Sequence, residues 1–305
     1  MTDGSPARRV DILVCTFNRP QITATLDSLD AQKRPPATEL RIIVADNAET
    51  PASQSLIEEH ARTLATPVRY VHAPARNISI ARNACLDAAT GDWVALIDDD
   101  EIADGDWIAA LLRRADETGA DAVFGPALAE YGPEAPEWMR QQAHHSNIPE
   151  RRDGVVETGH TCNALVRFGD VPWADERFDL ARGRSGGEDT EFFFRLMRHG
   201  ARFEIADEAI VREPVAPDRL RLGWLMQRKY RMGQSYAASA PGLAARVKLA
   251  LTAAAKTAYC GVAACGRAAA TDRRNFWTLR MALHAGVVSG CLALPQAELY
   301  GHRND

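Results

Sequence analysis

The sequence predicts an α/β fold: a mostly parallel sheet with helices on both faces, followed by a run of C-terminal helices. Three observations lead there. Strand-like and helix-like segments alternate from residue 10 to residue 125 at spacings that suit parallel crossover units. Polar residues collect just past the strand-like runs, where open parallel sheets bind their ligands. From Pro217 onward the chain turns basic and alanine-rich, with helical rather than strand character.

VDILVCTF (10–17) is rich in β-branched residues and reads as the first strand, and Gln21 to Ala31 follows Pro20 as a helix. LRIIVAD (40–46) is a second strand, with a helix over 53–64 after a polar loop. VRYVHA (68–73) and WVALID (93–98) are further strands, each followed by a helical pattern, ISIARNACLDAA (78–89) and 105–118. DAVFG (121–125) closes the alternation. The stretch 125–153 is rich in proline, histidine and charge, so it reads as a long loop with a short helix over 136–143. CNALVRF (162–168), ARFEIA (201–206) and EAIVRE (208–213) are strand-like, and the Gly/Arg-rich loop ARGRSGG (181–187) opens the helix EDTEFFFRLMRHG.

Composition narrows the class. An apolar fraction of 46% supports a sizeable core, and a net charge of −5 offers nucleic acid no general attraction. The six cysteines form no C-x-x-C pair, which argues for reduced thiols in a cytosolic protein rather than a zinc site or disulfide framework. Val10 to Cys15 is too short for a signal peptide, and no run reaches the roughly 18 apolar residues of a bilayer span. The sequence therefore reads as cytoplasmic.

Chemistry concentrates in GDWVALIDDDE (91–101), a strand that ends on four acids. Adjacent carboxylates raise one another's pKa unless a cation neutralises them. A hard divalent ion, Mg²⁺ or Mn²⁺, suits such a set, with Asp100 facing the metal and Asp98 reaching toward a ribose. A solvated turn whose aspartates cap the helix near Trp107 is the plain alternative.

Taken together, CTFNRP (15–20), VADNAE (44–49), NISIARN (77–83), LIDDDE (96–101) and GGEDTEFFFRL (186–196) resemble glycosyltransferase family 2, the inverting nucleotide-sugar transferases of GT-A fold. The resemblance spans roughly residues 10–235 and is nearest to bacterial exopolysaccharide transferases of the succinoglycan glucosyltransferase type. It implies a GT-A unit over 1–216 and a helical C-terminal extension over 217–305. It further implies transfer of a single sugar from a UDP-sugar, UDP-glucose foremost, to a glycan or polyprenyl-diphosphate-linked acceptor. By the same resemblance Thr16, Asn18, Arg19, Arg82 and Asn83 would line the nucleotide site. Asp46 would accept the uracil imide, and Asp98, Asp99 and Asp100 would form the D-x-D motif. Asp189 would be the base that takes the acceptor's proton, Glu188 would orient the acceptor, and Gly186 and Gly187 would let backbone approach the sugars. The acids at 188, 189 and 191 also suit a helix N-terminus on dipole grounds alone.

One departure concerns the histidine that many relatives place near the last core strand as a metal ligand. Here VREPVAP (211–217) offers Glu213, which is the expected ligand, with an ordinary surface glutamate as the plain alternative. The adjacent His144 and His145 read as surface loop residues. Gln227-Arg228-Lys229-Tyr230-Arg231 echoes the Q-x-x-R-W motif of processive synthases without its tryptophan, which favours single-sugar addition. The basic 219–274 segment fits either a peripheral contact with the cytoplasmic face of the inner membrane or a helical cap packed on the sheet. The alanine content of 249–270 favours packing. Two rivals stand beside the transferase. A Mg-dependent nucleotidyltransferase is disfavoured by C-T-F-N-R-P where a Gly-rich phosphate loop would be. A catalytically inactive family member acting as a binding partner is disfavoured because Asp98, Asp100 and Asp189 are all present.

Overall fold

The computed structural model describes residues 7–294 apart from 185, 238, 239 and 241, so the outer ends of the two expected units (1–6 and 295–305) lie outside it. A seven-stranded sheet contains β1 (Arg8–Thr16), β2 (Thr38–Asp46), β3 (Val68–His72), β4 (Trp93–Asp98), β6 (Ala122–Phe124), β8 (Asn163–Arg167) and β9 (Phe203–Ile205). Their order across the sheet is β3-β2-β1-β4-β8-β6-β9, and only β8 runs antiparallel to its neighbours. A smaller sheet, β5-β10-β7, joins β5 (Ile102–Ala103), β10 (Val211–Pro214) and β7 (Ala127–Glu130). The sequence reading had placed β7 inside a long loop and had not found β5, because strands of two to four residues carry too little periodicity.

Helices α1 (Ile22–Asp30), α2 (Gln54–Ala61), α3 (Ile78–Ala88), α4 (Trp107–Thr118), α5 (Glu137–Gln142) and α6 (Glu188–Arg198) fall close to their predicted spans. One core packs α1, α2 and α4 on one face of the sheet, around Ile22, Leu26, Ile57, Trp107 and Leu111. The other packs α3 and α6 on the opposite face, around Ala81, Cys85, Phe192 and Phe193. Each fully buried large side chain stabilises the fold by about 1.5–3 kcal/mol relative to exposure. Both faces covered, with strands that are continuous apolar runs, is the expected state of a parallel sheet.

Among the described residues three helices follow: α7 (Leu222–Tyr236), α8 (Gly242–Cys265) and α9 (Thr271–Cys291). Helix α9 packs against α7 and also against α8. The α7–α9 crossing is closed by glycine. A Cβ on Gly286 would fall 1.8 Å from the Tyr230 carbonyl oxygen, and one on Gly233 would fall 2.0 Å from that of Leu283. Leu225 of α7 and Leu279 of α9 meet Met139 of α5 in a small third core that ties these helices to the body.

Candidate active site

The parallel register brings the polar strand ends together, with Thr16 opposite Asp46 and Cys15 opposite Asp98. The three aspartates after β4 then take different roles. Asp99 turns inward, its Oδ2 accepting from the Thr16 hydroxyl at 2.7 Å and its Oδ1 from Arg19 at 3.0 Å. Burial pushes its pKa up to about 6, against the pull of Arg19 and the Thr16 hydroxyl. Asp98 keeps 46% of its side chain exposed. Its pKa is pushed up to about 7 by burial and then by Asp100, Asp99 and Glu213, against Arg82. Solvent at that exposure softens the burial contribution, and the repulsion from neighbouring carboxylates is the part that persists.

Asp100 forms a short ion pair with Arg19 and lies 3.9 Å from Arg219, which also pairs with Glu213 at 2.7 Å. Arg219 is held from behind. Its carbonyl oxygen contacts His145 Nε2 at 3.1 Å, and its guanidinium lies over the Trp224 ring at 5.6 Å. His145 is buried and stacks on Trp224 at 5.3 Å, contrary to the surface role expected for it. Burial, followed by nearby cations, lowers its pKa to about 4, so its ring is neutral at pH 7. The hydrophobic pair formed with Trp224 explains why a loop histidine goes inside.

The second acidic group sits at the start of α6, where Gly187 adopts a left-handed conformation (φ 82°) as the N-cap. A Cβ there would lie 2.5 Å from Ser235 Oγ of α7, so the close approach the glycine permits is to a helix. Asp189 Oδ2 contacts His160 Nδ1 at 3.1 Å, and its Oδ1 accepts from the Thr190 backbone N–H at 2.6 Å. Burial opposes the charge, but the His160 hydrogen bond and charge, Arg82 and the Thr190 N–H outweigh it and hold the pKa down at about 2. Arg82 connects the two acidic groups. Its guanidinium is buried, forms a short ion pair with Glu188, and places Nη2 3.9 Å from Asp98 Oδ1. The strand-end acids and the helix-start acids therefore share one arginine.

Several expected roles are corrected by this geometry. Glu188, expected to orient the acceptor, is buried against Arg82 with its Oε2 unpartnered. Asn83 pairs with the Phe178 backbone through both ends of its amide, at 3.0 and 2.8 Å, and clamps a loop instead of facing a nucleotide. One residue along a helix turns a side chain by about 100°, which separates it from Arg82. Asp46 is fully buried, its oxygens taken by the Ala48 N–H and the Tyr70 hydroxyl, both at 3.0 Å, so it is closed to a base in this state. Thr16 is likewise buried and spends its hydroxyl on Asp99. Asn18 is exposed in a left-handed conformation (φ 51°) that turns the chain after β1.

The oxygen donors Asp98, Asp100 and Glu213 fit a hard divalent cation by their chemistry. Among the described residues no three acidic, histidine or cysteine side chains converge as a ready-made cage. That agrees with an ion that takes one or two carboxylates from protein and the rest of its shell from phosphate. In this state Arg19 and Arg219 supply the neutralising charge. His160, His145 and Arg219 escaped the sequence reading. Their partners lie 29, 74 and 6 residues away without a local motif, and only Arg219, six residues past the expected ligand, carried a signal.

A family model described as "Glycosyl transferase family 2" matches residues 11–171. The succinoglycan biosynthesis protein ExoM of Rhizobium meliloti (strain 1021) is 46% identical over 298 residues, covering 96% of each chain. Among solved structures, the mannosyltransferase PcManGT from Pyrobaculum calidifontis, in complex with GDP-Man and Mn²⁺, aligns with a TM-score of 0.66 at 21% identity, covering 94% of this chain and 88% of that one. TarS 1–349 of S. aureus, in complex with UDP, aligns with a TM-score of 0.52 at 16% identity, covering 93% and 90%.

Proposed function

The chain belongs to glycosyl transferase family 2 and has the GT-A fold, and from that premise we propose that it adds one hexose from a UDP-sugar to a growing polysaccharide. UDP-glucose is the preferred donor in this reading, and a glycan or lipid-linked oligosaccharide is the acceptor. The 46% identity to a succinoglycan biosynthesis protein supports a role in exopolysaccharide assembly. The complexes of its fold relatives with GDP-Man and Mn²⁺ and with UDP support a nucleotide-diphosphate donor. Residues 1–216 are taken as the transferase unit and 217–305 as its helical extension.

The observation that carries the reading is Arg82, whose one guanidinium faces Asp98 on the donor side and Glu188, next to Asp189, on the acceptor side. Asp189 takes the acceptor hydroxyl's proton as that oxygen attacks the anomeric carbon, and the electron pair of the breaking carbon–oxygen bond leaves on the diphosphate. His160 is a positioning residue that holds Oδ2 of this carboxylate while Thr190 holds the other oxygen. Asp100 with Glu213 would hold Mn²⁺ or Mg²⁺, which would supply positive charge for the leaving diphosphate, while Asp98 would reach toward the ribose. Arg19 and Arg219, released from these acids, turn to the phosphate oxygens. Asp99, fixed by Thr16, keeps the loop in register for both.

Release of UDP from a panel of UDP-sugars, with and without Mn²⁺, tests the reading. One donor consumed in a metal-dependent, acceptor-dependent manner is expected. Pyrophosphate release from a nucleoside triphosphate and a sugar phosphate would instead indicate nucleotidyl transfer, and no turnover of any donor would indicate a binding role.

A further inference from the structure

Helix α8 is packed on one side only. Ala253, Cys260, Ala263 and Ala264 are buried on the side where it packs with α9, as its alanine content led one to expect. The opposite side is not polar. At about 100° per residue, Ala244, Val247, Leu251, Ala258, Val262 and Cys265 fall within about 60° of one another. All six are exposed, Leu251 at 68% and Val262 at 74%, and Leu243, at 80%, extends the ridge at its start. Over its 24 residues the helix is about 36 Å long. Leu292 and Leu294, just past α9, are exposed too. A contiguous apolar surface of this length is uncommon on a chain that meets only water.

Charge identifies the occupant. Residues 217–294 hold twelve lysines and arginines against two aspartates, although the whole chain is net −5. No acid occurs from Gly242 to Thr271. Lys248 borders the ridge, and Arg246 and Lys256 emerge exposed nearer the α9 side. Two copies meeting through this face would set like charges against each other, whereas an anionic lipid surface complements them. No described helix is long and apolar enough to cross a membrane. An apolar ridge bordered by Lys248 within a strongly basic helical segment suits a helix lying in the plane of the interface.

We propose that the outward face of α8 docks the protein flat on an anionic bilayer, with Val247, Leu251 and Val262 sunk among the acyl chains. Lys248 lays its stem along the boundary and reaches the headgroups, and Arg246 and Lys256, nearer α9, add to the positive field above the surface. The inference stands apart from the transfer reaction, because its readout is binding and needs no turnover.

Flotation of the full chain with vesicles tests it. Vesicles of phosphatidylcholine with phosphatidylglycerol should carry the protein, and phosphatidylcholine alone should carry far less. The double substitution Leu251→Glu with Val262→Glu should weaken binding at least about tenfold. Lys248→Glu should weaken it by roughly fivefold, and the loss should shrink as salt rises. Both variants change exposed positions, so their circular dichroism and their UDP release with a water-soluble acceptor should match the parent. Equal flotation with uncharged vesicles, or unchanged binding by the glutamate pair, overturns the proposal. So does a parent that sediments as a dimer and is split to monomers by the glutamate pair without binding vesicles, which would make the ridge a contact between copies.

Discussion

The two acidic groups of the cleft are neutralised in opposite ways. After β4, Asp98 and Asp100 with Glu213 are answered by Arg19, on a loop, and Arg219, at the end of a short 3-10 helix (Pro217–Arg219), both partly exposed. At the start of α6, Glu188 is answered by Arg82, which is buried within a helix, and Asp189 by His160. Exposed pairs form and break at small cost, whereas a buried pair loses heavily when one partner goes. The first group is built to exchange its cations for a ligand, and the second to hold one carboxylate in one orientation.

The largest effect should come from the second group. Asp189→Asn should lower the transfer rate by roughly 10²–10⁴-fold. Isothermal calorimetry should find UDP affinity within a few-fold of the parent; a collapse of that affinity would assign Asp189 to nucleotide binding instead. Arg82→Met should strand Glu188 as a buried unpaired charge and cost roughly 3–5 kcal/mol of stability in a urea titration. A loss below about 1 kcal/mol, the scale of an exposed pair, would erase the contrast between the two groups.

The first group should respond more mildly. Asp100→Ala should remove most of the manganese-dependent gain in UDP affinity, roughly 10- to 100-fold, as loss of one charge-assisted ligand. Undiminished manganese dependence would shift the metal role elsewhere. Arg219→Gln should change stability by no more than about 1 kcal/mol, and Mn²⁺ should raise the melting temperature of that variant more than that of the parent. It sets the small end of the scale.

His160→Gln sharpens the comparison through pH. Burial opposes ionisation of Asp189, and His160 is the foremost influence holding its pKa down at about 2. Losing that partner moves the pKa up, so the acid limb of kcat/KM should shift to higher pH, with kcat down roughly tenfold. In the parent, the stability gained from the depressed pKa is full above the unfolded value of about 3.9 and is lost as pH falls toward the folded one. A fall in kcat without movement of the acid limb would make His160 a structural residue only.

What could be read from the sequence divides along similar lines. Strands β1, β2 and β4 announce themselves as apolar runs ending on polar residues, and the helices between them carry their own periodicity. The acids at 98, 100 and 189 stand out because their motifs are local. Asp46 misled because nothing in VADNAE reveals that Tyr70, from the neighbouring strand, covers it. The burial of Glu188 is hidden too, because its partner Arg82 lies 106 residues earlier. Strand β5, with two residues, exists only through its pairing with β10. Local chemistry is legible in a sequence; the partner that switches it on or seals it is supplied by the fold.

The glycine crossing between α7 and α9 has a mechanical consequence. Because Gly233 and Gly286 let the two backbones touch, α8 is fastened through α9 to the same helix whose Ser235 abuts Gly187 beside Asp189. The outer ridge and the start of α6 are joined through directly packed helices. A bilayer beneath α8 would thus set the height of the cleft above the lipid, and that height would act as a ruler for the length of glycan that can reach it.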